Sequence, residues 1–360
     1  MSWSVVSEVP RYLPILKGRQ GEFNALGEVA PVTREYIVPL IEANPPSDRD
    51  DPKVIRENIN KCAAKLGNVW GGQDAFLDSV HLDLGMDLGG HGATYALCRG
   101  AEEWNIRAVP VLRLDDPELA RNDVRRLSEE AGRGVCVRLV GEDIDADPDD
   151  LQDAFSEFFR ACRLEKSDAD LVLDAAVVDS EIAARGAARV MGSLLRDLDD
   201  IVDWRSVTVA SGAFPIDLSA YDPWVIGERS RFDADMWAHV RNRRRLARSP
   251  GYGDYAVAHP SVSTTSVSFS PAPQLRYTTA DQWLILKGRR NDPAGNQQFY
   301  DVCERISRDP RFVGAALGAA DARIAHPRRH GPGNATTWRQ IGTTHHLDFV
   351  VRRITTLGEP

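Results

Sequence analysis

Eight short apolar runs, each followed by a turn and a stretch of helical periodicity, recur along the first 260 residues, and no other feature constrains the fold as strongly. Runs of Val, Ile and Leu spaced in this way are βα units, whose strands pair in parallel under a layer of helices. The strands read as Leu13–Lys17, Ile37–Glu42, Ser79–Asp83, Ala108–Arg113, Val135–Leu139, Leu171–Asp174, Ser206–Ala210 and Tyr255–Ala258. Helices are expected over Lys53–Leu66, Ala93–Trp104, Pro117–Ala131, Asp149–Cys162 and Ser180–Leu198, several opened by an Asp, Asp-Pro or Ser able to cap a first turn. Eight such units predict a (β/α)8 TIM-type barrel of the α/β class over residues 1–260. An open doubly wound sheet would carry a glycine fingerprint after its first strand, where this chain has KGRQGEF.

Residues 261–360 are expected to form an α+β extension that packs on the barrel and caps one end. It begins with the Ser/Thr/Pro-rich stretch PSVSTTSVSFSPAP, read as loop. A strand pair around LRYTT and QWLILKG follows, then a helix near Gln297–Ser307 and a last apolar stretch, WRQIGTTHHLDFVVRRI. The seventh connection, ASGAFPIDLSAYDPW, is long and irregular, as active-site loops of barrels often are.

Charge divides the chain. The total of -9 combines a body carrying -17 over residues 1–227 with a final third holding 20 Lys and Arg against 12 Asp and Glu. A basic segment of this kind favours an anionic small molecule or nucleic acid as partner, and a protein partner is also compatible. The arginine run Arg241, Arg243, Arg244, Arg245 and Arg248 reads as the solvated face of a helix. Five cysteines, odd in number and without a CxxC pair, argue against a disulfide framework and for small buried side chains in a reducing compartment. With no apolar run long enough to span a bilayer and no secretory leader, the expected location is the cytoplasm, with no membrane partner.

In a barrel the carboxy-terminal ends of the strands converge on one mouth, so the residues that end the runs are the candidate site. These ends carry Lys17 with Arg19, Glu42, Asp83, Arg113, Arg138, Asp174 and His259. Glu42, Asp83 and Asp174 offer oxygen ligands suited to Mg2+ or another divalent cation; they can equally pair with Lys17, Arg113 and Arg138, or act as acid and base. The word ILKGR occurs at Ile15–Arg19 and again at Ile285–Arg289, placing Lys17 and Lys287 at strand ends beside an open backbone. A third group gathers Arg323, Trp338, Arg339, His345 and His346, where arginines, a histidine and an indole face suggest a phosphate or nucleotide subsite. Nucleophile-elbow, Walker, HExxH and EF-hand patterns are absent.

The stretches YLPILKGRQGEFNAL, IVPLIE, PVLRLDD, PGYGDYAVAHP, RYTTADQWLILKG and WRQIGTTHHLDF, in this order, resemble the beta protein family of phages and bacteria. The resemblance implies little about activity, beyond an association with phage–host conflict or nucleic-acid metabolism. It adds Asp254 and Arg276 to the residues lying in familial stretches. The residues together predict a barrel enzyme acting on a phosphorylated or nucleotide-like substrate, by hydrolysis or phosphodiester cleavage. Lys17, Arg19, Arg113, Arg138, Asp254, Arg276, Lys287, Trp338, Arg339 and His346 would bind it, and Glu42, Asp83, Asp174, His259 and His345 would carry the chemistry. The rival expectation is a non-catalytic binding protein for nucleic acid, a small ligand or a partner protein in a defence or toxin-neutralising pair.

Overall fold

The computed structural model describes residues 11–198, 201–243, 246–261 and 271–360. Strands and helices alternate in chain order: β1 (Tyr12–Leu16), α1 (Gln20–Glu28), α2 (Pro31–Tyr36), β2 (Leu40–Glu42), α3 (Pro52–Trp70), β3 (Asp74–Asp78), α4 (Ala93–Glu102), β4 (Arg107–Leu112), α5 (Glu118–Ala131), β5 (Val135–Val140), α6 (Glu142–Asp145), α7 (Pro148–Cys162), β6 (Ala169–Val177), α8 (Glu181–Asp197) and β7 (Ser206–Gly212). Then come β8 (Gly227–Ser230), α9 (Phe232–Arg241), β9 (Gly251–Asp254), β10 (Gln274–Thr278), β11 (Gln282–Lys287), α10 (Gln298–Ser307), α11 (Ala319–Ala325) and α12 (Ala335–Leu357). Strands β1 to β7 and β9 close an eight-stranded, all-parallel barrel, with β9 hydrogen-bonded to both β7 and β1. This is the α/β TIM-type barrel the alternation predicts.

Two strands lie earlier than their runs suggest. The third is DAFLD at Asp74–Asp78, with Phe76 opposite Leu40 on one side and Val109 on the other. The alternating SVHLD stretch that follows imitates a half-buried strand, yet in a parallel barrel both strand faces are covered and the continuous AFL run wins. The eighth is GYGD at Gly251–Asp254. Its glycines look like a turn, but Gly253 is there for packing: a Cβ at this position would come within 2.9 Å of the Ala210 side chain and 3.2 Å of the Leu13 carbonyl.

Alternate residues of each strand face opposite ways. Leu13, Ile15, Leu40, Phe76, Val109, Val111, Cys136, Val172 and Ala210 form one buried cluster inside the barrel, while the opposite set packs under the helices in a second, larger core. The five cysteines are buried and unpaired.

Helix α12 packs on α1 and α2, and Arg241 of α9 donates to the Gly358 carbonyl beyond its carboxy-terminal end, so α12 takes the place of the barrel's eighth helix. The extension is therefore an insertion between β9 and α12. The expected strand pair is β10 and β11, and β8 from the irregular seventh connection joins β11 to make a three-stranded antiparallel sheet. This sheet packs with α10, α11 and the first turns of α12 around Leu275, Tyr277, Leu284, Leu286, Phe299 and Trp338. Most of the stretch read as Ser/Thr-rich loop, residues 262–270, lies outside the described residues, as do Arg244 and Arg245. Of the arginine run, Arg241 is exposed at the end of α9 and donates to the Gly358 carbonyl, while Arg243 and Arg248 lie beyond the helix, Arg243 close against Gly192 and Arg248 on the Trp204 and Arg205 carbonyls. Among the described residues no helix is long and apolar enough to cross a membrane.

Candidate functional site

The inward-facing parity of six of the eight barrel strands ends in a charge. Continuing the series Leu13–Ile15, Leu40, Phe76, Val109–Val111, Cys136 and Val172 by two residues gives Lys17, Glu42, Asp78, Arg113, Arg138 and Asp174. Arg138 joins three strands: Nη1 donates to Glu42 Oε1 at 2.9 Å and Asp78 Oδ2 at 2.7 Å, and Nη2 donates to Asp174 Oδ2 at 2.6 Å and the Tyr255 hydroxyl at 2.7 Å. Arg113 grips Asp78 with both terminal nitrogens, at 3.2 and 3.0 Å. Lys17 Nζ donates to Glu42 Oε2 at 2.6 Å and to the Pro260 carbonyl, and lies 4.7 Å from the centre of the Tyr255 ring.

Three cations thus meet three carboxylates in a mouth that solvent hardly reaches. Burial alone would push the carboxylates up, but at Asp78 the adjacent Arg113 and Arg138 hold the pKa below the usual range. At Glu42 burial is likewise outweighed, by His81, Arg138 and Lys17. His259, at the rim, is pushed down by burial and by Lys17. Asp116, whose carboxylate accepts the Arg113 backbone N–H at 2.8 Å, is raised by burial to about 6.

Five of the mouth residues read from the sequence, Lys17, Glu42, Arg113, Arg138 and Asp174, are brought together. Asp83 is not among them: it lies on the loop after β3, accepting the Gly85 N–H at 2.9 Å, and Asp78 takes the place expected for it. This disperses the carboxylate triad proposed for a divalent cation. Glu42 Oε1 faces Arg138 and Oε2 faces Lys17 and His81, while Asp174 Oδ2 faces Arg138 and Tyr255 and Oδ1 accepts the Ala176 N–H. A metal there would meet guanidinium groups, so the donor set does not fit Mg2+ or a similar ion. Among the described residues no group of three His, Cys, Asp or Glu is arranged to hold a metal.

Asp254, His345 and His346 lie on the other side of the barrel wall. Tyr12, Tyr252 and Asp254 occupy the outward parity of β1 and β9, and α12 buries its histidines against them. His346 Nε2 is 2.8 Å from Asp254 Oδ2 and its Nδ1 is 2.8 Å from Thr278 Oγ1. His345 spans Asp321 Oδ2, at 2.9 Å, and the Thr278 carbonyl, at 2.8 Å. These residues tie the extension and the last helix to the wall, away from the mouth. Lys287, at the end of β11, donates to the Leu218 carbonyl at 2.7 Å and likewise stays outside the mouth.

A second group does converge. Arg19 at the start of α1, Arg276 of β10 and Arg339 of α12 line a cavity of about 210 Å3 with Gly21, Thr336 and Trp338. Gly21 permits this meeting of helices, since a Cβ there would stand 2.7 Å from the Thr336 carbonyl and 3.0 Å from the Arg339 Cβ. The carboxylate beside the cavity is Glu22, buried, accepting the Arg19 N–H at 3.0 Å and lying 3.7 Å from Arg339 Nη1. Arg276 donates to the Val257 carbonyl at 2.6 Å and lies over the Phe214 ring. Burial and the neighbouring Arg339 and Arg19 push the Arg276 guanidinium well down, and burial does the same to Arg339. Arg339 Nη1 is buried without a hydrogen-bond partner. Trp338 is committed to the extension's core, stacked on Phe299 with its indole N–H on the Pro332 carbonyl, so it does not present the open stacking face expected for a base.

The residues missed by reading the sequence are Asp78, Asp116, Glu22 and His81. Only Asp78 carried a signal, as the charge two residues beyond Phe76 on the inward parity.

The family model described as Beta protein matches residues 12–352. Among solved structures, triosephosphate isomerase from Bartonella henselae matches with 9% identity, covering 68% of this chain and 90% of that one at a TM-score of 0.33. No curated protein matches the chain.

Proposed function

The chain belongs to the Beta protein family, and from that premise we propose that it is a barrel protein that binds a phosphorylated or otherwise anionic small molecule through the arginine cleft between α1, β10 and α12. One observation carries the reading: three guanidinium groups line one cavity with a single carboxylate beside it, and Arg339 Nη1, 3.7 Å from that carboxylate, is buried without a hydrogen bond. Buried charges are normally paired, and an anion bound between the arginines would supply the missing partner. The amino-terminal turns of α1 and α12 border the same cavity and turn the positive ends of their helix dipoles toward it. The barrel mouth, by contrast, is balanced by its own ion pairs, so it gives an incoming anion no uncompensated charge.

Hydrolysis is a second reading, favoured by Asp116. A carboxylic acid with a pKa of about 6 at the mouth is placed to exchange a proton near neutral pH. Binding is tested first. Titrating the protein with sodium phosphate at constant ionic strength, by calorimetry and by thermal unfolding, is expected to give saturable heat and a rising Tm in the wild type, with both weakened in Arg276→Gln and Arg339→Gln. Absence of any anion-dependent signal in the wild type contradicts the proposal.

A further inference from the structure

We propose that the cleft selects the dianion of a phosphate monoester over the singly charged phosphate of a diester. The inference rests on the anion-binding reading above and names the chemical class of its ligand. Arg19, Arg276 and Arg339 bring three positive charges, and Glu22 cancels one of them. Two remain. A dianion restores balance, whereas a monoanion leaves one part-buried guanidinium uncompensated, which costs more here than at an open surface.

Size and shape point the same way. At about 210 Å3 the cavity is smaller than the roughly 300–1,000 Å3 typical of sites that enclose a drug-sized ligand, so it suits a terminal phosphoryl group with the rest of the molecule outside. Trp338, the aromatic residue lining the cavity, is only 3% exposed and stacks on Phe299, which leaves little open ring face for a nucleobase. A diester must also pass chain through both sides of its phosphate, and the α1–α12 approach at Gly21 closes one side, since even a Cβ there would stand 2.7 Å from the Thr336 carbonyl.

The test compares methyl phosphate with dimethyl phosphate on the full chain at constant ionic strength, from pH 5 to pH 8. Methyl phosphate is expected to bind at least tenfold more tightly at pH 7. Its affinity should fall about tenfold toward pH 5, because the second ionisation of a phosphate monoester lies near 6, while dimethyl phosphate stays weak and flat. Arg339→Gln should lose about tenfold or more for methyl phosphate, and the half-buried Arg19→Gln provides a second variant whose folding is less exposed to the change. A 5′-phosphorylated oligothymidylate beside its 5′-hydroxyl form separates sources: tighter binding of the former than of methyl phosphate assigns a strand end, and equal binding assigns a small monoester. Equal affinity for the two methyl esters overturns the inference while leaving anion binding intact. Binding of neither overturns both.

Discussion

Arg138 Nη1 lies 2.7 Å from Asp78 Oδ2, joining the fifth strand of the barrel to the third across its interior. Through the same guanidinium the second and sixth strands are joined as well, by Glu42 and Asp174. The mouth of this barrel is thus a cross-brace of charges that depend on one another.

Arg138→Met should be among the most damaging single changes in the barrel. It leaves three buried carboxylates facing two cations, and breaking a buried pair on one side costs about 3–5 kcal/mol. Urea unfolding should show that loss, with part of it recovered in the double variant Arg138→Met/Asp174→Asn. A loss below about 1 kcal/mol would show that the mouth is not braced in this way.

Asp116 makes stability depend on pH in a definite direction. Its folded pKa of about 6 exceeds the unfolded value of about 3.9, so the stability tied to its proton is complete below about pH 4 and is lost as pH rises through 6. Asp116→Asn keeps an acceptor for the Arg113 N–H and carries no charge. Compared with the wild type, it should gain roughly 2 kcal/mol between pH 4 and pH 7.5 in denaturant titrations. A difference independent of pH would contradict the assignment.

The Tyr252 hydroxyl lies 2.6 Å from Asp233 Oδ2 and 2.8 Å from Asp254 Oδ2, and it has one hydrogen to give. Burial pushes Asp233 up, whereas at Asp254 burial is outweighed by His346, Arg231 and Tyr12, which hold it at about 2. Burial therefore favours the neutral carboxyl at Asp233 more than at Asp254, and the Tyr252 hydroxyl lies within donating distance of both. Tyr252→Phe should cost about 1–3 kcal/mol by leaving Asp233 Oδ2 without its hydrogen-bond donor, while Asp254 keeps His346, Tyr12 and the Ala256 N–H. Asp233→Asn should cost less than about 1 kcal/mol, since an amide oxygen still accepts from Tyr252 and burial opposes the charge. Melting temperatures of the two variants give the order.

Gly21→Ala tests the helix contact that forms the arginine cleft. The added methyl group would meet the Thr336 carbonyl and Arg339, so α12 must shift, with a loss of about 1–3 kcal/mol. Phosphate affinity should fall along with stability; retained affinity would separate the cleft from the α1–α12 contact.

Much of the barrel was legible because βα alternation and strand parity are local signals. The ends of the apolar runs also pointed to Lys17, Glu42, Arg113, Arg138 and Asp174, and counting by two along each run from the inward-facing residues reaches the same positions. The same count from the correct strand would have found Asp78, but SVHLD is the better-looking strand in isolation, and only pairing with the neighbouring strands decides the register. Gly253 misled for a related reason: its glycine serves a contact with Ala210 and Leu13, which are far away in the chain. Helix α12 was legible only as an apolar stretch, because it is buried nearly all round and so has no polar stripe to set a helical period. Its Asn334 N-cap, accepting from the Thr336 and Thr337 N–H groups, was the local sign that was available. The arginine cleft could not be seen at all, since Arg19, Arg276 and Arg339 meet only when the last helix returns to the first.

The most direct test of that cleft is a crystal of the full chain soaked in tungstate, a tetrahedral dianion with a strong anomalous signal. The predicted result is a tungsten peak between Arg19, Arg276 and Arg339, within hydrogen-bonding reach of Arg339 Nη1. A peak over Lys17 in the barrel mouth, with the arginine cleft empty, would contradict the account.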